Sequence, residues 1–138
     1  MADKLTPERR SANMAKIRAK NTKPEMLVRR MVHGMGYRYR LHRKDLPGKP
    51  DLVFGPRRKV IFVHGCFWHL HDCRDGRIPS SRRDYWEPKL RRNAERDAEQ
   101  KAALLAAGWQ VLTIWECETK DLQPLANRLA DFLRTGEY

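Results

Sequence analysis

The 138-residue sequence has no long hydrophobic run, only three cysteines and, over its first 60 residues, only five acids. Each shortage excludes something. No apolar stretch approaches the roughly 18 residues a membrane-spanning helix needs, so no membrane span is expected. The opening stretch MADKLTPERRSANMAKIRAK lacks an apolar core, and a signal peptide is not expected from it. Three cysteines is an odd number without secretory context, which sets disulfides aside in favour of free thiols or a metal. Internal repeats and low-complexity linkers are missing too. A chain of this length fits one domain and can bury a core without disulfide staples.

What is present is positive charge, unevenly placed. Residues 1–60 hold 17 Lys+Arg against 5 Asp+Glu, whereas residues 61–138 hold 12 of each, so the whole net +12 sits in the first part. Such a one-sided excess reads as an electrostatic footprint on a polyanion, nucleic acid ahead of an anionic membrane. A basic arm over residues 1–20 is expected, with Met14 and Ile17 three apart on a short helix. A single domain over 21–138 follows it.

Thr22 and Glu25 have capping-box spacing, and Leu27, Val28, Met31, Val32 and Met35 keep one apolar face of a helix that Gly34 and Gly36 end. YRYRL (37–41) alternates as a strand, with Tyr37, Tyr39 and Leu41 on one side. A Pro/Gly turn delivers Asp51 to a short strand, DLVF, and KVIFVHG reads as a buried central strand. Residues 66–83 are irregular. A helix is expected from about Glu87 with Pro88 at its first position and Leu90, Ala94, Ala98, Ala102 and Leu105 turned inward. WQVLTIWE is a second buried strand, carrying Trp109 and Trp115 into the core. Asp121 can cap a last helix bearing Leu122, Leu125, Leu129 and Phe132. The order α-β-β-β-α-β-α predicts an α/β layer structure around a mixed sheet of about four strands.

The densest chemistry is HGCFWHLHDC, residues 64–73. Cys66, His71 and Cys73 offer three zinc ligands, and Cys117, at the end of the last strand, offers the fourth. This Cys3His set uses every cysteine, and full coordination by protein assigns the metal to structure. Buried or free thiols are the alternative. His64 and His69 are left over beside this loop as candidate proton-transfer groups, since imidazole titrates near neutral pH. His33 and His42 lie away from the cluster and are read as surface residues. Asp51 is either a turn cap or a hard-cation ligand. Glu25 reads first as part of its capping box, and joins a site only if its helix packs beside the sheet. Phe67 and Trp68, inside the zinc loop, are expected to project outward. With Trp86 and Met14 they are either stacking or wedging groups for DNA, or core.

These stretches carry a resemblance. SANMAKIRAKNTKPE, LPGKPDLVF, VIFVHGCFWHLHDC, RRDYWEPKLRRNAERD and GWQVLTIWEC, together covering roughly Arg10 to Leu133, closely resemble the very short patch repair (Vsr) endonucleases of bacteria. The resemblance implies a restriction-endonuclease-like fold with a structural zinc. It implies Mg²⁺-dependent nicking of one strand 5′ of the thymine in T:G mismatches, which arise when 5-methylcytosine deaminates. It makes Asp51 the Mg²⁺ ligand, with the backbone carbonyl of Val63, and His69 the general base, with His64 and Glu25 as partners. The zinc ligands are again Cys66, His71, Cys73 and Cys117. Phe67, Trp68, Trp86 and Met14 become wedges entering the DNA, and Asn93 and Asp97 supports of the site.

At position 63 the best-known member carries threonine, so this chain lacks that hydroxyl but keeps a carbonyl. The strand also lacks the acid and lysine usual in related nucleases, which leaves proton transfer to histidine. A T:G wobble is already poorly stacked and costs less to open than a matched pair, so wedging rings convert that difference into selectivity. The expected protein is a monomer acting on double-stranded DNA in the bacterial cytoplasm, with repair proteins downstream. A nuclease of the same fold with another target, or a zinc DNA-binding module without catalysis, are the competing readings.

Overall fold

The computed structural model describes residues 22–135. The basic arm of residues 1–20, its short helix and Met14 lie outside the described residues. Helix α1 spans Lys23–Gly34, and strands β1 (Arg40–Leu41), β2 (Leu52–Phe54) and β3 (Lys59–His64) follow. Then come a short 3-10 turn at Arg74–Gly76, helix α2 (Arg83–Ala106), strand β4 (Gln110–Trp115), a second 3-10 turn at Glu116–Lys120, and helix α3 (Leu122–Arg134).

One sheet orders the strands β1-β2-β3-β4. The first three are antiparallel, and β3 runs parallel to β4 in a register from Lys59↔Gln110 to His64↔Trp115. A parallel pair needs a crossover, which α2 provides. Because strand side chains alternate, β3 serves two cores. Ile61 joins Val28, Val32, Leu52, Phe54, Ile114, Leu125 and Leu129 beneath α1 and α3. Val60 and Phe62 join Val53, Leu104 and Trp109 beneath α2. The result is a mixed four-stranded sheet flanked by helices, the restriction-endonuclease-like layering. His64 continues the Val60–Phe62 face and so points to the α2 side.

Thr22 caps α1 by accepting from the Glu25 N–H at 3.4 Å. The α1 end falls where the glycines put it, with Gly36 at φ 94°. Several expectations need correction. The first strand pairs only over Arg40–Leu41, against Val53 and Leu52, because β2 offers just three residues. Tyr37 and Tyr39 pack on the core without a ladder, and Leu41 is exposed.

The second long helix starts at Arg83, not Glu87, so Pro88 lies inside it. Arg83 and Arg91 both bond Glu87, bridging the turn around Pro88. The buried stripe of α2 is Leu90, Asn93 and Leu104, while Ala98, Ala102 and Leu105 face outward. An Ala-rich and charged helix carries little apolar periodicity, so its orientation is set by what it packs against. Leu122 is likewise exposed, and Asp121 stands at the N-cap of α3 without a side-chain cap bond.

The far end of α3 is fastened to the sheet. Lys59 is 3% exposed, and its Nζ donates to the carbonyls of Phe132 at 2.7 Å, Leu133 at 3.0 Å and Thr135 at 2.5 Å. A helix leaves its last carbonyls unpaired, and a buried ammonium needs acceptors, so each satisfies the other.

Candidate active site

The β2–β3 ladder ends at Leu52↔Ile61. Beyond it, the N–H of Val63 is taken by the Asp51 side chain, which accepts through Oδ2 at 2.7 Å. The preceding Pro/Gly turn, with Gly48 and Lys49 at positive φ, aims Asp51 at this strand end. Burial pushes the Asp51 carboxyl up to about 7; the Val63 N–H opposes that rise, and the neighbouring Glu25 carboxylate adds to it.

Glu25 reaches Asp51 from α1 and is 2% exposed. Its Oε2 accepts from Arg29, one turn along the helix, and stands 2.7 Å from His42 Nε2. His42 Nε2 is also 3.8 Å from Asp51 Oδ1. His42 is therefore no ordinary surface residue, and the carboxylate of Glu25 is turned to this cluster. One ligand atom from each of Glu25, His42 and Asp51 lies within 4.8 Å of the others. Two carboxylates with a converging imidazole are a donor set that fits a divalent cation.

A second group begins one residue after Val63. His64 and His69 stack face to face with centroids 3.8 Å apart, and His69 Nδ1 lies 2.5 Å from Asp97 Oδ2 on α2. These three also fall within the 4.8 Å limit. Burial lowers His64 to about 3, helped by the adjacent His69 and opposed by Asp97. His64 is therefore neutral at physiological pH. Its Nδ1 is buried without a hydrogen-bond partner among the described residues. Both histidines and Asp97 open onto a cavity of about 450 Å³, with Trp115, Lys101 and Arg128 also on its walls. Glu25 and Asp51 thus form one cluster and the histidine pair another, joined through consecutive residues Val63 and His64.

Cys66, His71, Cys73 and Cys117 form the third group, again within 4.8 Å. Cys117 Sγ is 3.5 Å from His71 Nδ1, and the Cys117 N–H donates to Cys66 Sγ at 3.4 Å. A tetrahedral zinc with Zn–S bonds of ~2.3 Å has edges of roughly 3.8 Å, so a donor set gathered within 4.8 Å fits one such ion. Burial pushes the Cys66 thiol up to about 12, a preference that ligation to a cation reverses. The loop closes tightly: a Cβ on Gly76 would lie 1.8 Å from the His71 carbonyl oxygen. Only glycine fits there, which no spacing argument foretells.

The rings form one cluster. Phe67 lies 5.0 Å from Trp68 and 5.3 Å from Trp86, and Trp68 is 5.8 Å from Trp86, all edge to face. Phe67 and Trp86 are half-buried, but Trp68 is only 8% exposed, which corrects its expected outward projection. Asn93, on α2, holds the Trp68 carbonyl at 3.1 Å, and Lys89 stands over Trp68 and Trp86 at 5.8 Å. Trp109 is core, just before β4, whereas Trp115 is not. It stacks on His71 at 4.1 Å and meets His64 edge-on at 5.4 Å, linking the cysteine cluster to the cavity.

Comparison with known proteins places the chain in a family. A family model described as DNA mismatch endonuclease Vsr matches residues 2–75. The chain is 56% identical to the type II nicking enzyme V.XorIIP of Xanthomonas oryzae pv. oryzae, over 96% of this chain and 98% of that protein. It is 42% identical to the type II nicking enzyme V.NmeAIP of Neisseria meningitidis serogroup A, over 97% and 96%. Identity to the DNA mismatch endonuclease Vsr of Escherichia coli K12 is 38%, over 92% and 81%.

Proposed function

The chain belongs to the Vsr family of DNA endonucleases, and on that footing we propose that it nicks one strand 5′ of the thymine in a T:G mismatch. The observation that carries the reading is the meeting of two groups at the end of β3. Buried Glu25 and half-buried Asp51 lie on one side, and a histidine pair backed by Asp97 on the other. A phosphodiester-cleaving site wants a cation-holding carboxylate pair and a proton acceptor for water.

Asp51 and Glu25 would hold Mg²⁺, with the Val63 carbonyl as a further oxygen. When bound, the cation supplies charge stabilisation at the scissile phosphate. The proton path belongs to the histidines. His69, donating Nδ1–H to the Asp97 carboxylate, keeps its Nε2 lone pair for the proton of the attacking water. The imidazolium that forms is stabilised by Asp97. Neutral His64, stacked on it, fixes the ring plane without adding a charge.

Cys66, His71, Cys73 and Cys117 would hold a zinc with no open position, which makes it a structural ion. Phe67, Trp86 and Met14 are proposed to enter the helix beside the mismatch, with Trp68 as the buried platform behind Phe67 and Trp86. Asn93 supports that platform, and Asp97 supports His69. The basic first 60 residues supply phosphate contacts that carry affinity without sequence information. One active site cuts one strand, so a monomer suffices, in the bacterial cytoplasm where the nucleoid lies.

The test uses end-labelled duplexes that differ only in a T:G or C:G pair, incubated with the protein and Mg²⁺. A nick 5′ of the mismatched thymine is expected. No T:G-dependent nick would sink the mismatch reading, and equal cutting of both duplexes would replace it with a nuclease of another target.

A further inference from the structure

We propose that His42 is a third protein ligand of the cation at Asp51 and Glu25, and that its nitrogen turns this site toward Mn²⁺ and related transition-series ions over Mg²⁺. The inference rests on the proposed function, which places a divalent cation at Asp51. It adds a residue that the recognised pattern of carboxylates and spare histidines leaves out.

Three separate elements deliver the donors. Glu25 comes from α1, Asp51 from the turn before β2, and His42 from the residue after β1. His42 Nε2 is 2.7 Å from Glu25 Oε2 and 3.8 Å from Asp51 Oδ1. Neighbouring ligands around an ion with bonds of ~2.1 Å stand roughly 3 Å apart, so His42 and Glu25 already stand at ligand spacing, and Asp51, within 4.8 Å of both, closes on a shared ion by a shift of an ångström or two. The backbone of His42 is committed to the same place. Its N–H donates to the Asp51 carbonyl at 3.2 Å, and its φ of 48° lies in the left-handed region that a β-carbon disfavours. Arg29 touches the same Glu25 oxygen, but a guanidinium has no lone pair, so it orients the carboxylate and cannot ligate.

Ligand type then sets the preference. Mg²⁺ keeps oxygen ligands and its own waters, whereas imidazole suits the first-row transition ions. A site of two carboxylates and one imidazole favours Mn²⁺ beyond what the carboxylates alone would do.

The test is a Mn²⁺ titration of the whole protein, with free Mn²⁺ counted by electron paramagnetic resonance and Mg²⁺ added as competitor. The relevant site is the one lost in Asp51→Asn. At that site the unmodified protein should show a ¹⁴N coupling by pulsed resonance. His42→Asn, whose side chain tolerates left-handed backbone, should lose the coupling and cut the preference for Mn²⁺ over Mg²⁺ by about tenfold. Absence of the coupling in the unmodified protein, or its persistence with an unchanged preference in His42→Asn, would overturn the inference alone. If Asp51→Asn binds both ions as tightly as before, Asp51 is not the cation site, and the proposed function loses its metal assignment together with this inference.

Discussion

His64 and His69 lie face to face, 3.8 Å between centroids and 4° from parallel. His64 cannot take up a second proton at neutral pH, because burial and the neighbouring ring hold it down to about 3. Asp97, bonded to His69 Nδ1, marks His69 as the ring that gains it. Asp97→Ala should therefore slow single-turnover nicking on the order of 100-fold, the scale of a lost general base. DNA affinity, read by fluorescence anisotropy, should stay near its original value, since Asp97 adds no phosphate contact. A parallel loss of affinity and rate would contradict the assignment.

Asp51 and His64 set opposing pH dependences of stability in the metal-free protein. The folded Asp51 carboxyl titrates at about 7 instead of 3.8, so between these values the folded state holds a proton that the unfolded chain has lost. Stability from this group falls as pH rises through that window. His64 titrates at about 3 instead of 6.5, so the unfolded chain binds a proton that the folded one refuses. Its contribution is lost as pH falls from 6.5 toward 3. Each effect reaches about 4–5 kcal/mol at most, and the two offset between roughly pH 4 and 6.5. Asp51→Asn should therefore steepen acid destabilisation, and His64→Phe should make the protein more stable at pH 4.5 than at 7. Urea unfolding at the two pH values reads both signs.

Mg²⁺ should also stabilise more at pH 8 than at pH 5.5, because the cation must compete with the Asp51 proton below about 7. Thermal shift with and without Mg²⁺ at the two pH values measures this, and an equal shift at both would place the cation elsewhere.

The cysteine cluster should hold one zinc per chain by elemental analysis. Cys117→Ser removes a ligand carried by a different element from the other three and should release the ion. Gly76→Ala should weaken zinc retention without touching any ligand, because its Cβ would collide with the His71 carbonyl. Chelator-release rates separate the three proteins, and a Gly76→Ala rate equal to the original would show that the loop relaxes freely.

The aromatic cluster predicts a division of labour. Trp68→Ala removes a buried ring and should cost about 3–5 kcal/mol of stability. Phe67→Ala, at a half-buried site, should cost less stability and more T:G-dependent nicking. Unfolding curves beside nicking rates on the mismatched duplex test the contrast.

Much of this was legible in residue patterns. The VIFV run of β3 can only be a buried strand, and the Cys3His set stands out because it consumes every cysteine beside a histidine-rich loop. His42 was not legible. Its role depends on a left-handed backbone and on a partner 17 residues away on a helix face, neither of which leaves a local mark. Trp115 looked like a core strand residue, yet the parallel register pairs it with His64 at the open end of the sheet. The orientation of α2 was hidden because its buried face includes Asn93, with half-buried Asp97 beside it, among alanines and charges, so hydrophobicity names no side. Pro88 signalled a helix start, but the Arg83–Glu87–Arg91 bonds carry the helix a turn further back.

Lys59 bears on how the enzyme holds together. It opens the central strand, yet its carbonyl acceptors lie 73, 74 and 76 residues further along the chain. Without the last turn of α3, the head of the central strand would hold a buried cation lacking these acceptors. The sheet that carries Asp51 and His64 is thereby tied to the last turn of α3, and a chain cut before Phe132 should be less stable than one that keeps it.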